Sequence, residues 1–203
     1  MIRQALFFLQ PRQVEVRNEE MSEPGPGEAL VDTVLSGISS GSELMVYTGE
    51  FPERMAIDSN IGALAARRFT YPLKYGYSAV GRVSRLGPDV GQSWRDRSVF
   101  SFQPHQSHFL AQISDLYPLP EGINPDQAVF LPNLETAVSL VMDGRPLIGE
   151  TAVVFGQGIV GLLTTALLST FPLGSLVTLD AYPRRRELSR KLGAHESFDP
   201  AHP

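Results

Sequence analysis

An apolar run, Thr151-Ala-Val-Val-Phe155, leads straight into Gly156-Gln157-Gly158-Ile159-Val160-Gly161 and then into a second apolar stretch. A G-x-G-x-x-G turn that closes a strand and opens a helix leaves a chain few folds, because each glycine answers a separate steric demand. Gly156 permits the tight turn, Gly158 lets the backbone approach a pyrophosphate, and Gly161 lets the helix lie close on the strand. The helix start adds free N–H groups and the positive end of the helix dipole. Ser175-Leu-Val-Thr-Leu-Asp180 reads as the next strand, and it ends, nineteen residues after the last glycine, on a carboxylate able to bind ribose hydroxyls. The pattern predicts a dinucleotide-binding βαβ unit, hence an oxidoreductase, with Gly156, Gln157, Gly158, Ile159, Val160, Gly161 and Asp180 at the cofactor.

One rival reading of the same stretch is a membrane span, since Thr151 to Leu179 carries no charged residue and is long enough to cross a bilayer. Gly156 and Gly158 interrupt it early, Pro172 and Gly174 late, and β-branched residues gather at its two margins. Strand, turn, helix and strand account for that distribution better than one continuous helix.

With 203 residues, 42% of them hydrophobic and 19% charged, the chain has room for one large domain or two modest ones. A formal charge of −5 argues against nucleic acid as a partner, because phosphate backbones favour basic surfaces. No secretory signal pattern is seen, so a cytoplasmic protein with a small-molecule substrate and no membrane partner is expected. Cysteine is absent, which excludes disulfides, thiol nucleophiles, thiolate-held zinc and cysteine-ligated iron–sulfur clusters.

Short β-type runs fill the first part of the chain: Ala5 to Leu9, Val14 to Arg17, Ala29 to Leu35, Ala79 to Val83 and Ser98 to Phe102, punctuated by turns at Glu23 to Glu28 and Leu86 to Asp89. Asn124-Pro125-Asp126-Gln127 combines a capping side chain, a proline at the first helical position and a glutamine three residues after the cap, so a helix starts there. Pro132 must kink or split it before Glu135 to Met142. Gly144 to Gly149 is the expected join to the nucleotide domain. Arg184 to Leu192 reads as a charged helix stopped by Gly193, and Glu196-Ser-Phe-Asp as the start of a third strand. A domain of this kind has about six strands, so the residues are expected to be the front of a longer protein.

A β domain, a helical bridge and a glycine-rich strand resemble the medium-chain dehydrogenase/reductase superfamily, in which a GroES-like domain precedes a Rossmann domain. Ser36-Gly-Ile-Ser-Ser-Gly-Ser-Glu43 is similar to the family's Gly-Ile-Cys-Gly-Thr-Asp segment with one extra residue. Gly76-Tyr-Ser-Ala-Val-Gly81 is similar to its Gly-His-Glu-x-x-Gly, and Arg95-Asp-Arg-Ser98 to its Gly-Asp-Arg-Val turn. Lys74-Tyr-Gly-Tyr and Phe102-Gln-Pro-His-Gln resemble a branch near bacteriochlorophyllide a dehydrogenase. The resemblance implies an α/β plus β fold: a GroES-like β barrel over residues 1–120, a helical bridge over 121–147, and over 148–203 a partial Rossmann parallel sheet, C-terminally truncated. It also implies a homodimer at full length.

The zinc-dependent members hold catalytic zinc with that cysteine, that histidine and a third ligand near the bridging helix. Here the matching positions hold Ser39 or Ser40, Tyr77 (with Ser78 for the glutamate) and, near the third, Asn133. Neutral hydroxyls do not make a zinc site, and no metal is expected. Without a Lewis acid, hydride transfer still needs a group to stabilise or protonate the oxygen or carbon on which charge develops. The candidates are Ser40, Ser42 at the position of the family's proton-relay hydroxyl, Tyr77 in place of the histidine, and Glu135 on the bridging helix. Each has a plainer role beside it: turn chemistry for the serines, packing for Tyr77, a helix-end ion pair for Glu135. Glu43 is expected to anchor its loop, and Tyr47 is a weaker pocket candidate.

His105 and His108 suggest a metal pair by residue type, but in an extended segment residues three apart face opposite ways. His195 and His202 are expected on the solvated surface. Asp180 favours NAD, since its carboxylate would repel the 2′-phosphate of NADP, although Arg184, Arg185 and Arg186 keep NADP in play. Arg185, five residues after Asp180, sits where NAD-using relatives often carry a basic residue near the adenosine ribose. The expected function is a zinc-independent NAD(P)-dependent oxidoreductase acting on an alcohol, a ketone or an activated double bond. The alternatives are a quinone-reductase-like NADPH enzyme and a non-catalytic nucleotide sensor.

Overall fold

The computed structural model describes residues 1–51 and 70–202, which divide into two compact units, Met1–Phe130 and Leu131–Pro203. In the first, β1 (Ile2–Gln10) and β2 (Gln13–Glu20) form an antiparallel hairpin, and β3 (Glu28–Ser36) leads to the short helix α1 (Ser42–Thr48). Then come β4 (Ala79–Leu86), β5 (Ser98–Ser101), β6 (His108–Gln112), β7 (Tyr117–Pro118) and helix α2 (Pro125–Ala128). Five strands make an antiparallel sheet in the order β6-β3-β4-β5-β7. Isolated bridges from Ala5 to Gln106 and from Phe8 to Leu73 tie the hairpin to the rest of the unit.

Side chains alternate across a strand, so each strand of this sheet can feed two cores. Ala29, Val31, Ala79, Val83, Val99, Phe109 and Ala111 pack with Leu116 on one face. Val80 and Phe100, one residue along from Ala79 and Val99, turn the other way and meet Ala128 and Val129 of the α2 region. A third cluster, Phe8, Val46, Leu73 and Tyr75, holds α1 against β1. Lys74 and Arg3 share the carboxylate of Glu19 at 2.7 and 2.8 Å. Burial disfavours the Glu19 charge, but the hydrogen bonds and charges of Lys74 and Arg3 outweigh it and hold its carboxyl below the ordinary glutamate value.

The capping box expected at Asn124 is present in both directions: the Gln127 N–H donates to the Asn124 side chain and the Asn124 N–H to the Gln127 side chain. Pro132 does split the helical pattern. α2 stops at Ala128, and α3 (Leu131–Gly144) begins with Pro132 in its first turn, where a missing N–H costs nothing.

The second unit continues with β8 (Thr151–Phe155), α4 (Ile159–Leu168), β9 (Ser175–Leu179), α5 (Pro183–Lys191) and β10 (Glu196–Phe198). The strands are parallel in the order β10-β9-β8, with Thr151 opposite Ser175 and Phe155 opposite Leu179. Val141, Leu168 and Leu176 bind α3 and α4 to the sheet. The stretch weighed as a membrane span is thus strand, turn, helix, strand, and no helix among the described residues is long and apolar enough to cross a membrane.

Candidate functional site

At the end of β8 the chain reverses through Gly156, whose φ of 82° lies in the left-handed region that favours glycine. Its N–H bonds Leu179 O at 2.8 Å, which pins the turn to the end of β9. α4 then starts under Gly158. A Cβ on Gly161 would lie 1.9 Å from Gly156 O, so only glycine allows the first turn of the helix to rest on the loop before it. A Cβ on Gly158 would meet nothing within 4 Å, so the backbone here faces open space. The N–H groups of Ile159, Val160 and Gly161 belong to the first helical turn and have no intrahelical acceptor, which leaves them for an anion.

Gln157 behaves differently from its neighbours. Its side chain is wholly buried, accepts from Thr165 Oγ1 at 3.0 Å and donates to Val154 O and Gly156 O. Its N–H donates to Asp180 Oδ2 at 2.7 Å. The sequence reading put Gln157 in the phosphate cradle, but the structure commits both its N–H and its side chain to holding the turn.

Asp180 is buried and accepts at both oxygens, from Gln157 N–H and, at 2.8 Å, from Tyr182 N–H. Burial opposes its charge, but those two N–H groups and the Arg185 guanidinium, 3.5 Å away, win and hold its carboxyl below the ordinary aspartate value. An anion therefore stands at the end of β9. The three arginines separate in role. Arg185 pairs with Asp180 and stacks on Tyr182 at 4.9 Å. Arg186 donates to Asp180 O, Ala181 O and Asp199 and so fastens the strand end. Arg184 is exposed.

In the first unit, the loop 37–42 carries the serines singled out by sequence. Ser40 is exposed and Ser42 partly so at the start of α1. Ser39 Oγ accepts from Ser42 N–H at 3.3 Å, and Ser39 N–H donates to Glu43 Oε1 at 2.8 Å, so Glu43 anchors this loop. Tyr77 is half-buried with its ring edge-on to Tyr75, and Tyr47 is exposed. Ser78, at the position matching the family's glutamate, donates to Val129 O at 2.5 Å. Glu135 lies on the exposed side of α3, and Asn133 of the same helix is half-buried.

The histidines divide as well. His108 lies 2.8 Å from Ser107 Oγ and 3.7 Å from Asp32 on the sheet surface. His105 sits in the bend before β6, not in an extended strand, and is buried against Glu43 and Ser36. Sequence reading considered it only as a metal ligand. Its partners are 62 and 69 residues away, and no local spacing signals them. His195 is exposed as expected, yet its Nδ1 also accepts from Leu176 N–H at 3.1 Å. Among the described residues no three metal-ligating side chains cluster.

No family model matches the chain. It is 33% identical over 93 residues to 2-desacetyl-2-hydroxyethyl bacteriochlorophyllide A dehydrogenase of Cereibacter sphaeroides, a match spanning 46% of this chain and 26% of that one. Over 94% of its length it is 22% identical to an alcohol dehydrogenase of Cupriavidus necator, of which it covers 61%. Among solved structures, an alcohol dehydrogenase from E. coli CFT073 in complex with NADH superimposes with a TM-score of 0.79 at 17% identity, over 98% of this chain and 63% of that one. The chain thus spans about three fifths of the length of the relatives it matches end to end.

Proposed function

We infer that this chain, which has the fold of the medium-chain dehydrogenase/reductases, is part of an NAD-dependent oxidoreductase that moves hydride to or from a small alcohol, a ketone or an activated double bond. The observation that carries the reading is the corner at 156–161, where a positive-φ glycine, an open backbone at Gly158 and unpaired first-turn N–H groups stand beside a buried anionic Asp180. These features fit a dinucleotide: Gly158, Ile159, Val160 and Gly161 would take the diphosphate and Asp180 the adenosine ribose. NAD is favoured over NADP because a 2′-phosphate would meet the Asp180 charge, and Arg185 is already paired with that charge. When bound, a nicotinamide supplies or accepts the hydride.

The donor set where the resemblance places zinc does not suit that metal. Ser39, Ser40 and Tyr77 offer neutral hydroxyls, Asn133 a neutral amide, and the Ser78 hydroxyl is engaged with Val129 O. We therefore propose a zinc-independent reaction in which hydroxyl groups of the first unit, Ser42 and Tyr77 among them, hydrogen-bond the substrate oxygen. Calorimetry of the full-length protein with NADH and NADPH, followed by turnover against a panel of carbonyls and quinones, tests this. NADH binding with carbonyl turnover is expected. NADPH-linked quinone turnover would replace it with a quinone reductase, cofactor binding without turnover would make the protein a sensor, and indifference to both nucleotides would end the reading.

A further inference from the structure

A buried line of hydrogen bonds in the second unit runs from the middle of α4 to Asp180. Gln157 and Thr165 are both 0% exposed, and Thr165 Oγ1 donates to Gln157 Oε1 at 3.0 Å. A threonine hydroxyl inside a helix ordinarily bonds back to a carbonyl of the preceding turn, as Thr48 does to Leu44 O at 2.9 Å and Thr136 to Pro132 O at 3.0 Å. Thr165 instead sends its proton out of the helix, to a residue eight positions earlier. The other end of the Gln157 amide, Nε2, lies 3.3 Å from both Val154 O and Gly156 O. Burying a primary amide is costly unless its groups are bonded, and a leucine would fill similar space without that cost. A fully bonded buried amide fixes one conformation, and here it fixes the peptide that joins Gly156 to Gln157. In a trans peptide the C=O and the N–H point in opposite directions. Gly156 O is held by Nε2 at one edge of that peptide, and at the other edge the Gln157 N–H donates to Asp180 Oδ2 at 2.7 Å.

We propose that Thr165 is a positioning residue of the nucleotide site inferred above, on which the proposal rests, and that it acts on the adenosine ribose through Gln157 and Asp180. The Thr165 hydroxyl keeps the Gln157 amide turned under Gly156 O. That amide keeps the peptide from rotating, and the peptide N–H keeps the Asp180 carboxylate in the orientation in which its other oxygen accepts from Tyr182 N–H at 2.8 Å. A carboxylate held before the ligand arrives needs no further ordering, so the ribose hydroxyls meet an acceptor already in place. The same arrangement divides the turn. Gln157 N–H serves the carboxylate, and the diphosphate is left to the amides of Gly158 through Gly161. Removing the Thr165 hydroxyl would strand Gln157 Oε1 without that donor, free the amide to swing and let the 156–157 peptide turn its N–H away from Asp180. The sugar contact would weaken while the diphosphate contact would not. Thr165 thus sets how strongly this site reads the adenosine 2′-hydroxyl, although it lies buried behind the turn.

Calorimetry of the full-length protein with NADH, and with an NADH analogue lacking the adenosine 2′-hydroxyl, tests this. The wild type should bind NADH about tenfold or more tighter than the analogue, the effect of a hydrogen bond to a charged group. Thr165→Val, which keeps the shape and removes the hydroxyl, should weaken NADH binding about five- to tenfold and change analogue binding by less than about twofold. Thr165→Ser, which keeps the hydroxyl, should restore NADH binding. A loss shared equally by the two ligands would show a merely structural role and overturn the proposal, as would a valine variant that binds both like the wild type or a wild type that does not tell them apart. If the valine variant fails to fold, amide hydrogen exchange of the wild type decides. Gln157 N–H should be protected before any nucleotide is added, with Ile159 and Val160 gaining protection only on binding. A Gln157 N–H that exchanges freely until NADH is added would overturn the brace while leaving the oxidoreductase intact. A wild-type protein that binds neither nicotinamide nucleotide would instead remove the reading on which the brace rests.

Discussion

Replacing Asp180 by Asn isolates the charge at the centre of the glycine corner while hardly changing its volume. In the wild type each carboxylate oxygen accepts a backbone N–H, from Gln157 at 2.7 Å and Tyr182 at 2.8 Å. An amide has one acceptor, so one of those buried N–H groups would face an NH2 instead. The loss is one charge-assisted hydrogen bond plus a stranded donor, about 2–4 kcal/mol in all. At about 1.4 kcal/mol per factor of ten, that is roughly a 30- to 700-fold rise in the local opening of the turn. Amide hydrogen exchange at Gln157 and Tyr182 reads this directly, with the β4 and β5 amides as an internal control. The sign of the pH effect follows from the lowered pKa. The stabilisation is complete above the ordinary aspartate value and lost as pH falls through the depressed folded value, so exchange in the wild type should quicken across that acidic window. The variant should show no such step. It should also narrow or reverse a preference for NADH over NADPH, because the charge that repels a 2′-phosphate is gone. Gln157 exchange within about threefold of wild type at neutral pH would refute the account of how this corner is held.

Two further substitutions test the local reasoning. Gly161→Ala adds a methyl 1.9 Å from Gly156 O, a backbone atom that cannot swing away, so weaker NADH binding by tenfold or more is expected in calorimetry. Elsewhere in a helix the same change stabilises by about 1 kcal/mol, so a more stable variant would contradict the close-packing argument. Asn124→Ala removes the side-chain half of the α2 capping box, leaving the residue 124 N–H bonded to Gln127, and should cost about 0.5–2 kcal/mol in denaturant unfolding of the first unit.

What could be read in advance follows the range of the forces involved. The strands at Ala29 to Leu35 and Ala79 to Val83, the cap at Asn124, the split at Pro132 and the strand–turn–helix at 151–161 all rest on neighbours a few residues apart, and side-chain periodicity and backbone sterics reveal those. Asp180 was visible for the same reason: it closes a strand at a set distance from a glycine turn.

Tertiary structure alone decided the rest. It turned Gln157 inward onto Thr165 and spent its N–H on Asp180, set Glu135 on an exposed helix face, gave Arg185 and Arg186 different tasks, and joined His105 to Glu43 and Ser36 across more than sixty residues. Such pairings depend on which burial partners meet once three distant segments pack together, and a buried charge accepts whatever satisfied partner that packing brings. Composition had therefore left this sequence without a thiolate, and the glycine spacing had set where the strand–turn–helix corner falls. Which side chains stand together as acids, bases and anchors was settled only when the fold brought them within hydrogen-bond reach.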